Sequence, residues 1–210
     1  KILTPIQTNK TVLDYQITKL QKHGVKQIII ITHYLSNKIK KYIIYKKYQN
    51  VTVFREPRML GTAGGVKLLE KIIKKNFFVI YGDLIFKTNL SKMYKFHKLQ
   101  NSQATVLVHK NDHNFDSDLV KMNRSTKNIQ NFFRDHEDKK NNNYVNAAIY
   151  IISKTVIKEI KTNIKTDFVK DFFPQLLKKN FILKGFYSKS FLYDMGTAER
   201  IKKFKKNKYD

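Results

Sequence analysis

Apolar residues in the first part of the chain follow two alternating patterns. Short aliphatic runs at residues 27–32, 51–54 and 77–81 have the length and β-branched content of buried strands. Between them, i, i+4, i+7 spacing at Leu13, Ile17 and Leu20 predicts a helix that His23 and Gly24 can close. Similar spacing predicts a second helix around residues 35–43 and a third around residues 66–73. This alternation favours a mainly parallel sheet with helices on both faces.

The second half of the chain has a different rhythm, with more strands and fewer helices. The pattern predicts helices at residues 90–99, 168–177 and 197–207, and strands at 105–109, 119–122, 129–133, 145–152, 183–186 and 191–193. Asp167 is a plausible N-cap, and Pro174 is expected to kink or break the helix that follows. Residues 135–143 are polar and predict an exposed loop. We find no repeat or linker, so a single domain over residues 1–210 is expected.

Composition narrows the class of protein. Hydrophobic residues make up 41% of the chain, which excludes a disordered tail, and no apolar run reaches the roughly 18 residues of a membrane span. The chain has no cysteine, so it has neither disulfides nor thiolate metal sites. The net charge of +26 would suit a polyanionic partner, but the excess lysine is scattered, as compositional drift toward A/T-rich codons would also produce.

Three segments have the residue types of a phosphate or metal site. Residues 56–65 (EPRMLGTAGG) join a strand to a helix, and their glycines would let backbone N–H groups approach an anion. Asp83 and Asp194 each follow a strand, where a carboxylate can hold Mg²⁺. Each segment also has a purely structural explanation, a tight turn for the first and a cap or Asx turn for the aspartates. The histidines His33, His97, His109 and His113 are read as structural or surface residues.

Together, these segments resemble those of the sugar-phosphate nucleotidylyltransferases over essentially the whole chain. The similar motifs are KILTPI at residues 1–6, LGTAG at 60–64, Gly82-Asp83, VNAAIY at 145–150 and DMGTAER at 194–200. Residues 112–120 (DHNFDSDLV) look most like guanylyltransferases that act on heptose 1-phosphate, with mannose-1-phosphate guanylyltransferases as the near alternative. The order and spacing of the motifs carry this resemblance, since each motif is weak alone.

The resemblance implies a three-layer, Rossmann-like nucleotidyltransferase fold of the glycosyltransferase-A type. It implies transfer of a nucleoside monophosphate, GMP from GTP, to a heptose or mannose 1-phosphate with Mg²⁺, in the cytoplasm, for lipopolysaccharide or glycan synthesis. It leaves open a homo-oligomer and a fused or partner phosphatase domain. The implied site residues are Lys1 and Asp83 for catalysis, Asp83 and Asp194 for the metal, Glu56, Leu60, Gly61, Thr62 and Gly82 for the nucleotide, and Asp118, Asn146 and Asp167 for the sugar.

Three departures from the family pattern change these expectations. The glycine-rich loop that grips the triphosphate would precede Lys1, so its strand and loop are missing and the chain alone is expected to be inactive. Residues 134–139 replace a familiar Glu-Lys-Pro, and Ala148 stands where glycine is usual, which would narrow the sugar pocket. Two alternatives stay open, a non-catalytic relative of the same fold and, because of the charge, a nucleic-acid-binding module.

Overall fold

A computed structural model describes residues 2–110, 118–133 and 144–206. Within these ranges the helices are α1 (Val12–Lys22), α2 (Ser36–Tyr45), α3 (Gly61–Lys67), α4 (Leu90–Leu99), α5 (Phe173–Lys178) and α6 (Ala198–Lys206). The strands are β1 (Pro5–Gln7), β2 (Lys10–Thr11), β3 (Ile28–Thr32), β4 (Val51–Arg55), β5 (Phe77–Ile80), β6 (Leu84–Phe86), β7 (Ala104–Lys110), β8 (Leu119–Met122), β9 (Ile129–Phe133), β10 (Tyr144–Ile152), β11 (Leu183–Tyr187) and β12 (Leu192–Asp194). A 3₁₀ helix spans Lys154–Glu159, and a π-helix spans Phe168–Phe172.

The chain divides into two compact units, each assembled from separate segments. The first unit contains Lys1–Arg55, Ile80–Ser91 and Ser190–Asp210, and the second contains Glu56–Val79 and Lys92–Lys189. A single domain over the whole chain therefore stays a prediction. In the part of the chain that the structure describes, no helix has both the length and the apolar character needed to cross a membrane.

The first unit confirms the βαβ pattern predicted from the early part of the chain. Strands β3 and β4 pair in parallel, with Ile28 opposite Val51. The spaced apolar residues of α1 and α2 pack against this pair, and the buried cluster consists of Leu13, Ile17, Ile30, Ile39 and Ile43. Helix α1 ends at the predicted place, with His23 as C-cap and Gly24 in the left-handed region at φ +78°.

A buried carboxylate fixes the start of α1. Asp14 and Thr11 form a capping box, in which the Thr11 backbone N–H donates to Asp14 Oδ2 at 2.7 Å. The hydroxyls of Tyr42 and Tyr48 donate to the same carboxylate, each at 2.6 Å. Burial raises the pKa of Asp14, but these hydrogen bonds outweigh it and hold the pKa below its usual value. Asp14 therefore joins α1 to α2 and to the loop after α2.

The second unit contains the mixed sheet predicted for the second half of the chain. Its strand order is β11-β7-β10-β8-β9, with β5 also paired to β10. Strand β7 pairs in parallel with β11 and antiparallel with β10. Beside the sheet, the fully buried rings of Tyr150, Phe168 and Phe173 lie with centroids 5.0–5.4 Å apart. This aromatic cluster anchors the π-helix and α5.

The structure corrects the bounds of one predicted helix and divides another. Helix α3 begins at Gly61 and ends at Lys67, whereas apolar spacing placed it around residues 66–73. After Lys67 the chain turns tightly, with Glu70 N–H donating to the Lys67 carbonyl at 3.1 Å. Pro174 was expected to kink or break the helix over residues 168–177, and that stretch is divided into the π-helix and α5 directly before Pro174.

Candidate functional site

A buried glutamine holds the turn that carries Asp83. Gly82 and Asp83 connect β5 to β6, and Gln16 of α1 lies beneath them with 7% of its surface exposed. The Gln16 side-chain amide donates to the Tyr81 carbonyl at 2.8 Å and to the Leu84 carbonyl at 2.9 Å. One side chain therefore fixes the backbone on both sides of Gly82-Asp83. The amino-acid pattern did not point to Gln16, because its partners lie far away in the sequence.

Gly82 occupies a position where a side chain would be crowded. A Cβ added there would lie 3.2 Å from Ile2 Cδ1, which is tighter than ordinary van der Waals contact. Ile2 belongs to the KILTPI segment, and its carbonyl accepts the Leu13 N–H at 2.9 Å. The start of the described chain thus lies against the Asp83 turn. Lys1, the predicted catalytic cation, lies outside the described residues.

The structure brings Asp83 and Asp194 together, which spacing alone could not establish. Strand β12 pairs antiparallel with β6, and Asp194 lies opposite Leu84. The next hydrogen bond is donated by Met195 N–H to the Asp83 carbonyl at 2.7 Å. Met195 is fully buried with Ile85 and Phe204, so the pairing is fixed from the core side. The two aspartates are therefore neighbours at the same end of a two-stranded ladder.

The Asp194 carboxylate is oriented by its own motif. Its Oδ1 accepts the Gly196 N–H at 2.6 Å, and its Oδ2 pairs with the Arg200 guanidinium. A Cβ at position 196 would lie 2.7 Å from Oδ1, so glycine is needed for this close approach. Within the DMGTAER segment, Gly196 and Arg200 thus both bind the Asp194 carboxylate and orient it.

The donor set around these aspartates fits Mg²⁺. Carboxylate oxygens are its preferred protein ligands, and Mg²⁺ commonly takes one or two of them while keeping waters and substrate phosphate oxygens. Across residues 2–110, 118–133 and 144–206, no group of three or more His, Cys, Asp or Glu side chains is placed to hold a metal. A metal held by two aspartates keeps coordination positions for phosphate oxygens, which suits a metal that is shared with a substrate.

The glycine-rich loop of the second unit is the predicted nucleotide site. Glu56 follows β4 and is 9% exposed, and its Oε2 accepts the Leu60 N–H at 3.5 Å. Leu60 is buried, Gly61 begins α3 with φ +79°, and Thr62 is half-buried. A carboxylate held beside the first turn of a helix is an acceptor that can pair with N–H donors on a base edge.

This loop is joined to the segment before the π-helix by close backbone contacts. Thr166 N–H donates to the Leu60 carbonyl at 2.8 Å, and the Thr166 carbonyl accepts from Ala63 at 2.9 Å and Gly64 at 3.1 Å. A Cβ at Gly61 would lie 2.6 Å from the Thr166 oxygen. Glycine is therefore required at position 61 for its backbone angle and for this approach.

Thr62 and Asp167 form a side-chain hydrogen bond within the same contact. The Thr62 hydroxyl donates to Asp167 Oδ2 at 2.8 Å and accepts from Phe168 N–H at 2.9 Å. Asp167 Oδ1 accepts from Val169 N–H at 2.9 Å and Lys170 N–H at 3.1 Å, which confirms the predicted N-cap. Both oxygens of the Asp167 carboxylate thus have protein partners, and its role as a sugar ligand stays a prediction.

The predicted sugar strand places Asn146 beside Asp118. The Asn146 backbone N–H donates to the Asp118 carbonyl at 2.9 Å. The Asn146 side-chain amide donates to the Tyr150 hydroxyl at 2.9 Å, and its Oδ1 accepts the Ala148 N–H at 3.1 Å. Tyr150 is fully buried, so its hydroxyl acts as a fixed point for the Asn146 side chain. Tyr150 belongs to the VNAAIY motif, but its role could not be predicted from the amino acids alone.

Ala148 adopts the backbone conformation that glycine favours. Its φ is +52°, and it lies where the pairing of β10 with β7 is irregular, between Asn146 and Tyr150. This conformation costs an alanine about 1–2 kcal/mol. The usual glycine of the resembling motif is thus explained by a bulge that turns the strand at Asn146.

His97, one of the histidines read as structural or surface residues, has a structural role. His97 is 1% exposed and is bonded to Asn76 at 2.9 Å and Thr105 at 2.8 Å, and burial lowers its pKa to about 4. His97 is thus a neutral structural residue, as predicted. His113, the stretch before Asp118 and the loop at 134–143 lie outside the described residues.

Comparison with known proteins places these features in one family. The model of the family described as "Nucleotidyl transferase" matches residues 1–208. The chain is 31% identical over 191 residues to a mannose-1-phosphate guanyltransferase of Yarrowia lipolytica, covering 85% of this chain and 52% of that protein. It is 26% identical over 189 residues to the mannose-1-phosphate guanylyltransferase catalytic subunit beta of Xenopus tropicalis. The chain spans about half the length of these curated relatives.

Solved structures share the fold. HddC from Yersinia pseudotuberculosis complexed with GMP-PN superposes with a TM-score of 0.81 at 23% identity, covering 98% of this chain and 88% of that one. A putative glucose-1-phosphate thymidylyltransferase from Bacillus anthracis gives a TM-score of 0.83 at 18% identity, covering 99% and 85%. The mixed α/β architecture is therefore that of sugar nucleotidyltransferases.

Proposed function

Because the chain belongs to the nucleotidyl transferase family, we propose that it is part of a guanylyltransferase that acts on a sugar 1-phosphate. The observation that carries this proposal is the pairing of β6 with β12, which makes Asp83 and Asp194 neighbours. Two adjacent carboxylates suit a metal that is shared with phosphates. The guanyltransferases among the relatives support GTP as donor and mannose 1-phosphate, or a heptose analogue, as acceptor.

In the reaction that we propose, an oxygen of the sugar 1-phosphate attacks the α-phosphorus of the nucleotide. The bond from that phosphorus to the bridging oxygen of the β-phosphate breaks, and pyrophosphate leaves. No protein nucleophile is needed, so the protein acts by positioning its substrates and neutralising their charge. When held by Asp83 and Asp194, Mg²⁺ would stabilise the negative charge that develops on the reacting phosphates.

The residues divide between the two substrates. Asp83 and Asp194 would hold the metal, and Lys1 would neutralise phosphate charge as a point cation. The loop at Leu60–Thr62 would contact the base, with Glu56 accepting from the N–H donors of guanine. Gly82 would leave room for the nucleotide. Asn146 would bind sugar hydroxyls, with Asp118 and Asp167 as further sugar-side residues. We propose a cytoplasmic location because nucleoside triphosphates are cytoplasmic substrates.

The test is an assay of the full-length gene product with GTP, Mg²⁺ and mannose or heptose 1-phosphate. Pyrophosphate release and formation of the GDP-sugar are expected, with the other nucleoside triphosphates used more slowly. Asp83→Asn should lower kcat by about 100-fold or more, since it removes charge from a metal ligand. Glu70→Gln, which removes the charge from a partly exposed carboxylate paired with Lys67, is the matched control and should leave kcat unchanged. No product with any nucleotide and sugar phosphate, or full activity of Asp83→Asn, would contradict the proposal.

A further inference from the structure

The contact between Thr62 and Asp167 suggests a role for Asp167 that the proposed function does not contain. The two residues are far apart in sequence, and both face the contact between the nucleotide loop and the π-helix. The Thr62 hydroxyl is both donor and acceptor, because it donates to Asp167 Oδ2 at 2.8 Å and accepts from Phe168 N–H at 2.9 Å. A hydroxyl used twice in this way fixes the Thr62 side chain and orients the loop that carries it.

The Asp167 side of this contact is fixed by hydrogen bonds and by a buried neighbour. Asp167 caps the π-helix through Val169 and Lys170, and its own backbone N–H donates to Asp171 Oδ2 at 2.7 Å. Phe168, the next residue, is fully buried against Tyr150 at 5.2 Å between ring centroids. A single-turn π segment is often found at functional sites, where it places a side chain that a regular helix would misdirect. Asp167 thus stands on a rigid support.

The Leu60–Thr62 loop, on the other side of the contact, needs partners that fix its conformation. The loop contains Gly61 at φ +79°, and a glycine restricts the backbone conformation very little. The helix that begins there has no side-chain cap of its own. Its first free N–H groups are met instead by the Thr166 carbonyl, one residue before Asp167. The conformation of the loop is therefore imposed by residues 166–168.

We propose that Asp167 is a positioning residue that, through the Thr62 hydroxyl, holds the Leu60–Thr62 loop in the conformation that receives the nucleotide. This inference rests on the proposed function for the identity of the ligand. It assigns both oxygens of the Asp167 carboxylate to protein donors, so it competes with a direct contact between Asp167 and the sugar. The two roles differ in which substrate is bound less tightly when Asp167 is changed.

The experiment measures the KM for GTP and for the sugar 1-phosphate in the full-length protein. Thr62→Val removes the hydroxyl, Thr62→Ser keeps it, and Asp167→Ser keeps an N-cap that is too short to reach Thr62. Asp167→Ser, which loses one hydrogen bond, should raise the KM for GTP by about 3- to 10-fold, and Thr62→Val, which also loses the bond from Phe168 N–H, should raise it at least as much. Their KM for the sugar phosphate should stay within about twofold, and Thr62→Ser, which keeps the hydroxyl, should raise the KM for GTP less than Thr62→Val does.

The double variant Thr62→Val/Asp167→Ser is expected to be no worse than the weaker-binding single variant, because both changes break the same bond. Thr155→Val is the control, since the Thr155 hydroxyl also makes a 2.8 Å hydrogen bond, to Ser153, but on the exposed surface. A raised KM for the sugar phosphate with an unchanged KM for GTP would overturn the proposal. So would multiplicative effects of the two changes in the double variant.

The hydrogen bond between Thr62 and Asp167 that holds the Leu60–Thr62 loop is called the clamp here. Failure of the proposed function is distinguishable from failure of this clamp. If the wild-type protein releases no pyrophosphate with any substrate pair, the proposed function fails on its own. The clamp is then judged by hydrogen exchange of the Ala63 and Gly64 amides, which donate to Thr166. Thr62→Val should speed that exchange by about 10-fold, the effect of one lost hydrogen bond, while Thr155→Val should not. Equal exchange rates in the two variants would overturn the clamp.

Discussion

Replacing Gln16 by leucine is expected to loosen the turn that carries Asp83. Leucine has nearly the volume of glutamine and suits the interior of α1, so the helix itself should tolerate it. The change removes the two donors that now reach the Tyr81 and Leu84 carbonyls at 2.8 and 2.9 Å. At 7% exposure, little water can replace them.

The magnitude follows from those two carbonyls. A buried acceptor left without a partner costs about 1–3 kcal/mol, so two would cost about 2–6 kcal/mol. Burial of the apolar leucine side chain offsets about 1–2 kcal/mol of that cost. With the middle of each range, about 4 kcal/mol of cost and about 1.5 kcal/mol of offset, the free energy of unfolding should fall by about 2–3 kcal/mol. That loss is large beside the roughly 5–15 kcal/mol that is typical of a folded protein but leaves the variant folded.

The assay is urea unfolding followed by circular dichroism, together with the Mg²⁺ dependence of turnover in the full-length protein. Gln21→Leu is the matched control, because Gln21 lies on the same helix with an exposed side chain. Gln16→Leu should unfold at a lower urea concentration with an unchanged slope and should need more Mg²⁺ for half-maximal rate. If the two variants unfold at the same urea concentration, Gln16 does not hold this turn and the reasoning is refuted.

Three further changes test other parts of the structure. Tyr150→Phe should raise the KM for the sugar phosphate by about 3- to 10-fold while sparing the KM for GTP, because Asn146 loses one hydrogen bond; an unchanged sugar KM would contradict this. Ala148→Gly should raise the free energy of unfolding by about 0.5 kcal/mol, since relief of the left-handed strain exceeds the entropic cost of glycine, whereas Ala147→Gly should lower it in the same urea titration. His97→Gln should flatten the loss of stability on acidification from pH 6.5 to about pH 4. In that interval the unfolded histidine takes up a proton, whereas the folded one does not, because burial lowers its pKa. The contribution of His97 to stability is therefore present above pH 6.5 and is lost as the pH falls. Parallel curves of stability against pH for the wild type and the variant would contradict this.

Patterns that act locally were predictable from the amino acids. The apolar spacing of Leu13 and Ile17 predicted α1, and the aliphatic run 28–31 predicted β3, because helices and strands bury a face with a fixed period. Asp167 was identified as an N-cap because it precedes an apolar stretch. Such features depend on neighbours a few residues away, and these neighbours are visible in the sequence.

Features that depend on distant partners were not predictable in this way. The amide of Gln16 has meaning only beside carbonyls that lie 65 and 68 residues further along the chain. Nothing in the letters NAAIY shows that Ala148 has a positive φ, because alanine normally avoids that region. The start of α3 at Gly61 likewise depends on the Thr166 carbonyl, which offers its first N–H groups a partner. Long-range hydrogen bonds decided these positions.

The ladder between β6 and β12 also has a consequence for how the protein is made. Asp83 emerges from the ribosome long before Asp194, and most of the second unit is synthesised between them. The two aspartates can become neighbours only after that whole stretch has been translated. Contacts of such high sequence separation close late and slowly, because the chain must first lose the entropy of a long loop. A nascent chain would thus form the β3–β4 pair early, while the two aspartates that we propose as metal ligands are among the last residues to meet.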